Sequence, residues 1–548
     1  MKTGTAIRPR VVFIAAMYLG LAALVFFLAF CNLDGRLFWG DEAETAVLAR
    51  NVLKFGVPKV DDGVNHIVIH GDNFDARDGV WTWSPWLQEY VTAASFAVFG
   101  PNTWAGRAPF AAIGWLAVML LGFVAWNIYR SHRIAFASMF LLGTSEVFLL
   151  HIRQCRYYSI TVLAEILLVY GIYQILAKNR NAPWFLLAGL TLQFYCNYTI
   201  AAANVPILLV LGWKLFLQQR NSALPLVKAL AIWLLICLPW LFFAEIWRQS
   251  SAEQHDSWTH LLKFYAWQFH FHFFPWCVLL LPAYGWLRRR FSKAINNSPT
   301  ENRSATGYRF EKYLLLLPFL YLPVLLLMPN AFSRYLLPLL PLACLLAAVW
   351  LFRYLKWTAL AVLILLVQCV SNVFAVATDP FGRQYPLRST LADFTFSNLL
   401  PYEDRLTDLL KFFKKQAQPR QVVVVWDPEF PLAFYTPLKV ANAWFPLTSS
   451  PRLPDWILPK SVTGDVAEKP FEMPSSLAPY YEKIILVVHD SPQVDNIPEP
   501  EAFQHMTAKA MSPFIVYKLK AQIPEPPETS LPSLYQSFLV PNTGAPAN

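Results

Sequence analysis

Charge is what this chain has least of: Asp, Glu, Lys and Arg make up 15% of it, against about a quarter in ordinary globular domains. Together with 56% hydrophobic residues, that scarcity excludes a disordered chain and an ordinary soluble enzyme. Cysteine is scarce as well. Seven residues in 548 are an odd number, lie in or beside apolar runs and show no metal-ligand spacing, so buried thiols are expected and a disulfide scaffold is not. What the chain has instead is aromatic and apolar: 42 Phe, 23 Tyr and 21 Trp describe a protein that expects lipid around most of it.

The apolar residues come in runs. Val11–Cys31, preceded by Lys2, Arg8 and Arg10, is too long for a signal-peptide core and reads as a retained anchor. Further spans are expected near Pro109–Tyr129, Ile134–Leu150, Ser159–Leu176, Trp184–Tyr198, Thr199–Leu217, Leu226–Phe243, Phe273–Leu287, Tyr313–Met328, Tyr335–Leu351 and Trp357–Ala377. That makes about eleven transmembrane helices. With the N-terminus in the cytoplasm, every second connection is basic: Arg130 and Arg133, Lys178 and Arg180, Lys214 with Arg220 and Lys228, Arg288–Arg290 with Lys293, Arg353 and Lys356. The net charge of +10 is therefore largely topological, and a nucleic-acid partner is not expected.

Three stretches then face outward: a loop of residues 32–106, a loop of residues 245–272, and everything after residue 378. The expected division is a membrane domain of residues 1–378 and a soluble α/β domain of residues 379–548. In the latter, a charged amphipathic helix near 402–415 precedes strand-like runs Val422–Val425, Ile484–Val488 and Phe514–Leu519. Pro524, Pro526 and Pro527 mark a loose tail.

Chemistry should lie in the outer parts. Gly40-Asp41-Glu42-Ala43-Glu44 opens a helical pattern directly after the first span. A carboxylate there stands where a lipid-linked substrate presents its headgroup and could take a proton from an incoming hydroxyl or amine. The same acids fit a capping box, Asp41 as N-cap and Glu44 at N3, and spacing alone leaves both readings open. Trp81-Thr82-Trp83-Ser84-Pro85-Trp86 reads as an interface belt, and Arg107 as an interface anchor. His270-Phe271-His272 lacks companion ligands for a metal, and Asp72, Asp75 and Asp78 miss calcium-loop spacing. Glu146 and Glu165, inside expected spans, should face the bundle interior or a wet cavity.

In order along the chain stand Asp41-Glu42 with a downstream Ala49-Arg50, the aromatic-Pro segment at Trp83-Ser84-Pro85, and Phe99-Gly100 leading to Ala105-Gly106-Arg107-Ala108-Pro109. His151-Ile152-Arg153-Gln154-Cys155-Arg156-Tyr157-Tyr158 and Arg334-Tyr335-Leu336-Leu337-Pro338 follow. Over the membrane half this pattern resembles the GT-C superfamily of polyprenyl-phosphate-dependent glycosyltransferases, in particular the aminoarabinose lipid A transferases and bacterial protein mannosyltransferase-like enzymes. The resemblance implies an inverting transfer from a polyprenyl-phosphate sugar to a lipid, glycan or protein acceptor. It implies Asp41 as catalytic carboxylate with Glu42 beside it, and Arg334, Tyr335, Arg153 and Arg156 on the donor phosphate. Where relatives have Lys or His before two prolines, this chain has Trp83-Ser84-Pro85, so a ligand to the phosphate or a metal is missing. Arg77, Trp83 and Tyr158 are further substrate-cavity candidates. The resemblance names no organic cofactor and leaves a divalent cation open. It also implies a bacterial inner membrane, with the C-terminal domain periplasmic. The rival readings are a flippase or transporter of polyprenyl-linked sugars, which would ordinarily show paired halves with broken helices, and a scaffold that displays the soluble domain.

Overall fold

The computed structural model describes residues 9–66, 76–218, 220–247, 257–291, 305–328, 332–355, 357–380, 382, 385–400, 403–425, 429–441, 453–458, 473, 477–489 and 510–520. Helix α1 (Pro9–Phe30) is followed by α2 (Gly40–Phe55), the short hairpin β1 (Ala76–Arg77) and β2 (Val80–Trp81), and α3 (Leu87–Phe99). Then come α4 (Thr103–Tyr129), α5 (His132–Gly143), α6 (Glu146–Ile152), α7 (Tyr158–Leu176), α8 (Ala182–Phe194), α9 (Tyr198–Gln218) and α10 (Arg220–Ala244). Helix α11 (Trp258–Gln268) runs into a π-helical turn, and α12 (Leu280–Phe291) and α13 (Ala305–Leu325) lead to a 3₁₀ segment, Ser333–Leu339. That segment feeds α14 (Leu340–Tyr354), α15 (Thr358–Val370) and α16 (Val373–Ala377).

Each of the eleven expected runs contains a helix. Among the described residues six helical stretches are long and apolar enough to cross a membrane, and α5 with α6, bent by 64°, makes a seventh if counted as one span. Helix α8, residues 276–285 and α15 are shorter apolar helices. Phe13, Leu19, Leu235 and Phe242 stand exposed on these helices, as a lipid-facing surface requires.

Local chemistry fixes how the outer elements enter. Asn102 caps α4, its side chain accepting from the Ala105 N–H at 2.8 Å. Pro109 cannot donate to the Ala105 carbonyl four residues back; the Ser95 hydroxyl of α3 donates to it instead, at 2.6 Å. The break in the backbone ladder thus becomes the joint between α3 and α4. Trp81 is fully buried and its indole N–H reaches Ser84 at 2.9 Å, while the Trp86 indole donates to the Trp81 carbonyl at 2.6 Å. This corrects the reading as an interface belt for Trp81 and Trp86: their N–H groups are satisfied within the loop, which lets the Trp81 ring be core and the Trp86 ring pack half-buried against it.

Beyond the last span lie α17 (Thr390–Leu399), α18 (Arg405–Gln416) and α19 (Glu429–Tyr435). Strands β3 (Val422–Val425), β4 (Lys439–Ala441), β5 (Trp456–Leu458), β6 (Tyr481–His489) and β7 (Met511–Leu519) form one sheet in the order β4-β3-β5-β7-β6. Strand β3 is parallel to β4 and β5, and β7 is antiparallel to β5 and β6. A small α/β module is what the sequence led one to expect. The proline-rich tail, Asp72 and Asp75 lie outside the described residues. All seven cysteines are free thiols, five buried and two, Cys31 and Cys277, half-buried.

Candidate active site

Helix α2 starts two residues earlier than a capping box requires. Trp39 is its N-cap, with extended backbone and no side-chain cap bond, so Asp41 sits inside the first turn and its carboxylate is free to point elsewhere. It points at two arginines. Arg334 Nη1 lies 3.1 Å and Arg156 Nη2 3.6 Å from Asp41 Oδ2, and the Asp41 side chain remains about 29% exposed. Glu44 and Thr45, three and four residues on, share that helix face and bind the other side of Arg156, at 3.1 and 3.0 Å. That spacing was legible in the sequence, although Thr45 went unnoticed there. The Asp41 carbonyl accepts from Arg156 as well, at 3.0 Å.

The surroundings are aromatic and almost closed. The Arg334 guanidinium lies 4.0 Å over the Phe332 ring, and Tyr157, Tyr158 and Tyr335 all lie within its electrostatic range. Tyr157 and Tyr158 rings meet at 4.8 Å, and the Tyr157 hydroxyl accepts from Asn197 at 3.0 Å. The Tyr335 carbonyl accepts from Tyr321 at 3.0 Å, which anchors the 3₁₀ segment carrying Arg334. Three donors are buried here without a partner among the described residues: Nε of Arg156, Nε of Arg334 and the Tyr158 hydroxyl. With Asp41 and Glu44 balancing Arg156 and Arg334 in charge, the centre holds spare donors and no spare negative charge, which is the make-up of an anion site.

Glu42 points the other way. It is fully buried and doubly bonded to Arg107, at 2.8 and 2.5 Å, and accepts the Cys155 N–H at 2.6 Å. Arg107 also donates to the carbonyls of Leu33, Arg36 and Leu37, so it is a buried clamp rather than the interface anchor expected. Arg153 is spent on the carbonyl end of α1, bonding Leu28, Ala29 and Asn32, and on Asn398; the geometry does not bring it to Asp41. Arg77 caps α10 at the Phe242 and Phe243 carbonyls, beside Glu245, and Trp83 packs half-buried against the core. Neither is drawn to the centre. Sequence position could not separate Arg153 from Arg156, since both follow the same short helix.

Glu89 of α3 is a fully buried carboxyl near Arg156 and Glu44. Burial pushes it up to about 8, against the hydrogen bond from Gln88 at 3.0 Å and the Arg156 charge. Glu146 pairs with Arg388 at 2.8 Å, and Glu165 accepts from Gln193 and Asn204, both at 2.7 Å; both acids face the interior as expected. His270 uses both ring nitrogens, toward the Ala375 carbonyl and the Trp276 N–H. Among the described residues no three His, Cys, Asp or Glu side chains gather as a metal site would require, and Asp41 and Glu44 are held by arginine, so this donor set does not fit a divalent cation.

Residues 84–243 match the family of dolichyl-phosphate-mannose-protein mannosyltransferases. In fold the chain is similar to ArnT from Cupriavidus metallidurans bound to undecaprenyl phosphate, with a TM-score of 0.52 at 15% identity over 78% of this chain and 85% of that one. The apo ArnT structure gives 0.51 at the same identity and coverage. The archaeal oligosaccharyltransferase AglB from Archaeoglobus fulgidus is more distant, at 0.45 and 11% identity over 78% and 64%. No protein of curated function matches the chain in sequence. The chain carries the fold of the ArnT structures, and its long apolar helices mark a multi-pass membrane protein.

Proposed function

We propose that this protein moves a sugar from a polyprenyl-phosphate donor to an acceptor on the outer face of the bacterial inner membrane, with inversion and with Asp41 as base. The observation that carries the reading is the Asp41 carboxylate set against Arg334 and Arg156, with unpartnered buried donors around it. The donor phosphate displaces Asp41 from the guanidiniums and takes up the Nε groups and the Tyr158 hydroxyl, with Tyr335 beside it. Freed of its partners, Asp41 accepts the proton of the acceptor hydroxyl as that oxygen attacks the anomeric carbon. The bond from sugar to phosphate breaks, and the electron pair leaves on a phosphate whose growing charge the arginines stabilise. Asp41 then carries the proton, the acceptor the sugar and the lipid its phosphate. Glu42 and Arg107 are positioning residues for α2. ArnT, with undecaprenyl phosphate bound in its structure, supports the donor class. The basic connections support a cytoplasmic N-terminus and a periplasmic module after residue 378.

The acceptor, whether lipid A, another glycan or a protein, is found by mass spectrometry of envelope lipids, polysaccharides and glycoproteins from cells with and without the protein. Loss of one sugar unit from one acceptor, restored by wild type and not by Asp41→Asn, is the expected result. An unchanged envelope, together with no consumption of any polyprenyl-phosphate sugar in proteoliposomes, overturns the reading. A reporter fused after Lys520 that is active only in the cytoplasm overturns the topology.

A further inference from the structure

The centre takes its arginines, tyrosines and base from the membrane half and the first loop. Among the described residues the C-terminal module supplies no side chain to it, yet binds the segment that bears Asp41 both before and after α2. Asn32 donates to the Asn398 carbonyl at 2.7 Å, and Arg36 bonds the Ser397 hydroxyl. The Phe38 N–H, two residues before α2, donates to the Tyr435 hydroxyl at 2.9 Å, and the same hydroxyl meets Thr103 at 2.8 Å, where α4 begins. Beyond α2, Asn65 accepts the Val440 N–H of β4 at 2.7 Å.

Helix α2 itself is gripped on opposite sides. Arg50 follows Asp41 by nine residues, which at about 100° per residue places it half a turn away. Its guanidinium donates to the Ala433 and Phe434 carbonyls at 2.9 and 3.1 Å and lies 4.8 Å over the Phe434 ring. The favourable charge at a helix C-terminus adds to these bonds. Facing the membrane half, Glu42 is locked to Arg107 and Glu44 to Arg156.

We propose that the C-terminal module is a positioning element of the reaction, with Tyr435 and Arg50 as the residues through which it sets where α2 presents Asp41. This rests on the reading of Asp41 as base. The Tyr435 hydroxyl joins the entry of α2, the first turn of α4 and α19 in one hydrogen-bonded point. Its loss frees the backbone just ahead of Asp41 without touching Arg334 or Arg156. A base displaced by about 1 Å loses on the order of 100-fold in rate while substrate binding persists.

The test uses the full-length protein in proteoliposomes, with Tyr435→Phe, Arg50→Met and Arg50→Lys. Deuterium exchange is followed over residues 38–46, and donor saturation and turnover are measured with polyprenyl-phosphate sugar. Tyr435→Phe and Arg50→Met should speed exchange in that stretch and leave α4 and α7 unchanged. Turnover should fall about 10-fold or more with donor KM within about twofold of wild type, and Arg50→Lys, which keeps the charge and donors on one nitrogen but loses the fork, should fall between. Unchanged exchange and turnover in both Tyr435→Phe and Arg50→Met overturn the proposal. So does a parallel loss of turnover, donor affinity and thermal stability, which marks a merely structural contact. A wild type that transfers no sugar refutes the glycosyltransferase reading instead, and the exchange data then decide alone whether the module holds α2.

Discussion

Replacing Asp41 by Asn changes one oxygen for a nitrogen and removes the negative charge that faces two guanidiniums at 3.1 and 3.6 Å. At an effective dielectric of about 20, each attraction amounts to roughly 5 kcal/mol before desolvation is set against it. Because Asp41 is about 29% exposed, water compensates much of the loss, and the expected net destabilisation is about 1–2 kcal/mol. Capping adds nothing to this figure, since the N-cap is Trp39 and makes no side-chain bond. The functional effect should be far larger. A missing general base costs on the order of 10²–10⁴ in turnover, while the local charge rises by one unit and favours the anionic donor. Turnover in proteoliposomes should therefore collapse, while binding of undecaprenyl phosphate, followed by equilibrium titration, is equal to wild type or tighter. Turnover within about threefold of wild type would refute the assignment of Asp41, as would a parallel loss of lipid binding.

Arg334→Lys and Arg334→Ala should both weaken donor saturation and turnover, the alanine variant by a few kcal/mol of transition-state stabilisation; silence of both in a donor titration would return Arg334 to a headgroup anchor. Arg107→Met strands the buried Glu42 carboxylate and should cost about 3–5 kcal/mol, seen as a lower unfolding temperature in detergent. Glu89 holds its proton in the folded state up to about pH 8, whereas the unfolded chain releases it near 4.5. The stability that depends on this group is full below about 4.5 and is lost as pH rises through about 8. Glu89→Gln should flatten that part of the stability profile, and an unaltered slope between about pH 4.5 and 8 would show that the carboxyl is not buried as described.

The long apolar runs were legible because a span must be apolar over its whole length, and Val422–Val425 because four successive β-branched residues, bounded by Gln421 and by Trp426-Asp427-Pro428, favour a short buried strand. Strands β4 and β5, three residues each, are too short to show a period and depend on their neighbours for existence. At the site, the local residue types announced Asp41 and Arg334, but their pairing joins residues 293 positions apart. Arg153 and Arg156 are alike in sequence surroundings; the turn after α6 aims one at the carbonyl end of α1 and the other at α2. Trp81 and Arg107 misled for a common reason. Each is a residue type that anchors at interfaces, and here its polar end is satisfied inside the protein.

The seven unpaired thiols give the protein a quiet chemical background. Alkylating reagents need an accessible thiolate, and burial both hides the sulfur and disfavours its ionisation. Five of the seven are shut off in this way. Replacing only Cys31 and Cys277 should leave a chain to which a maleimide attaches solely where a new cysteine is placed. Impermeant and permeant reagents could then report, loop by loop, which side of the bilayer each segment faces.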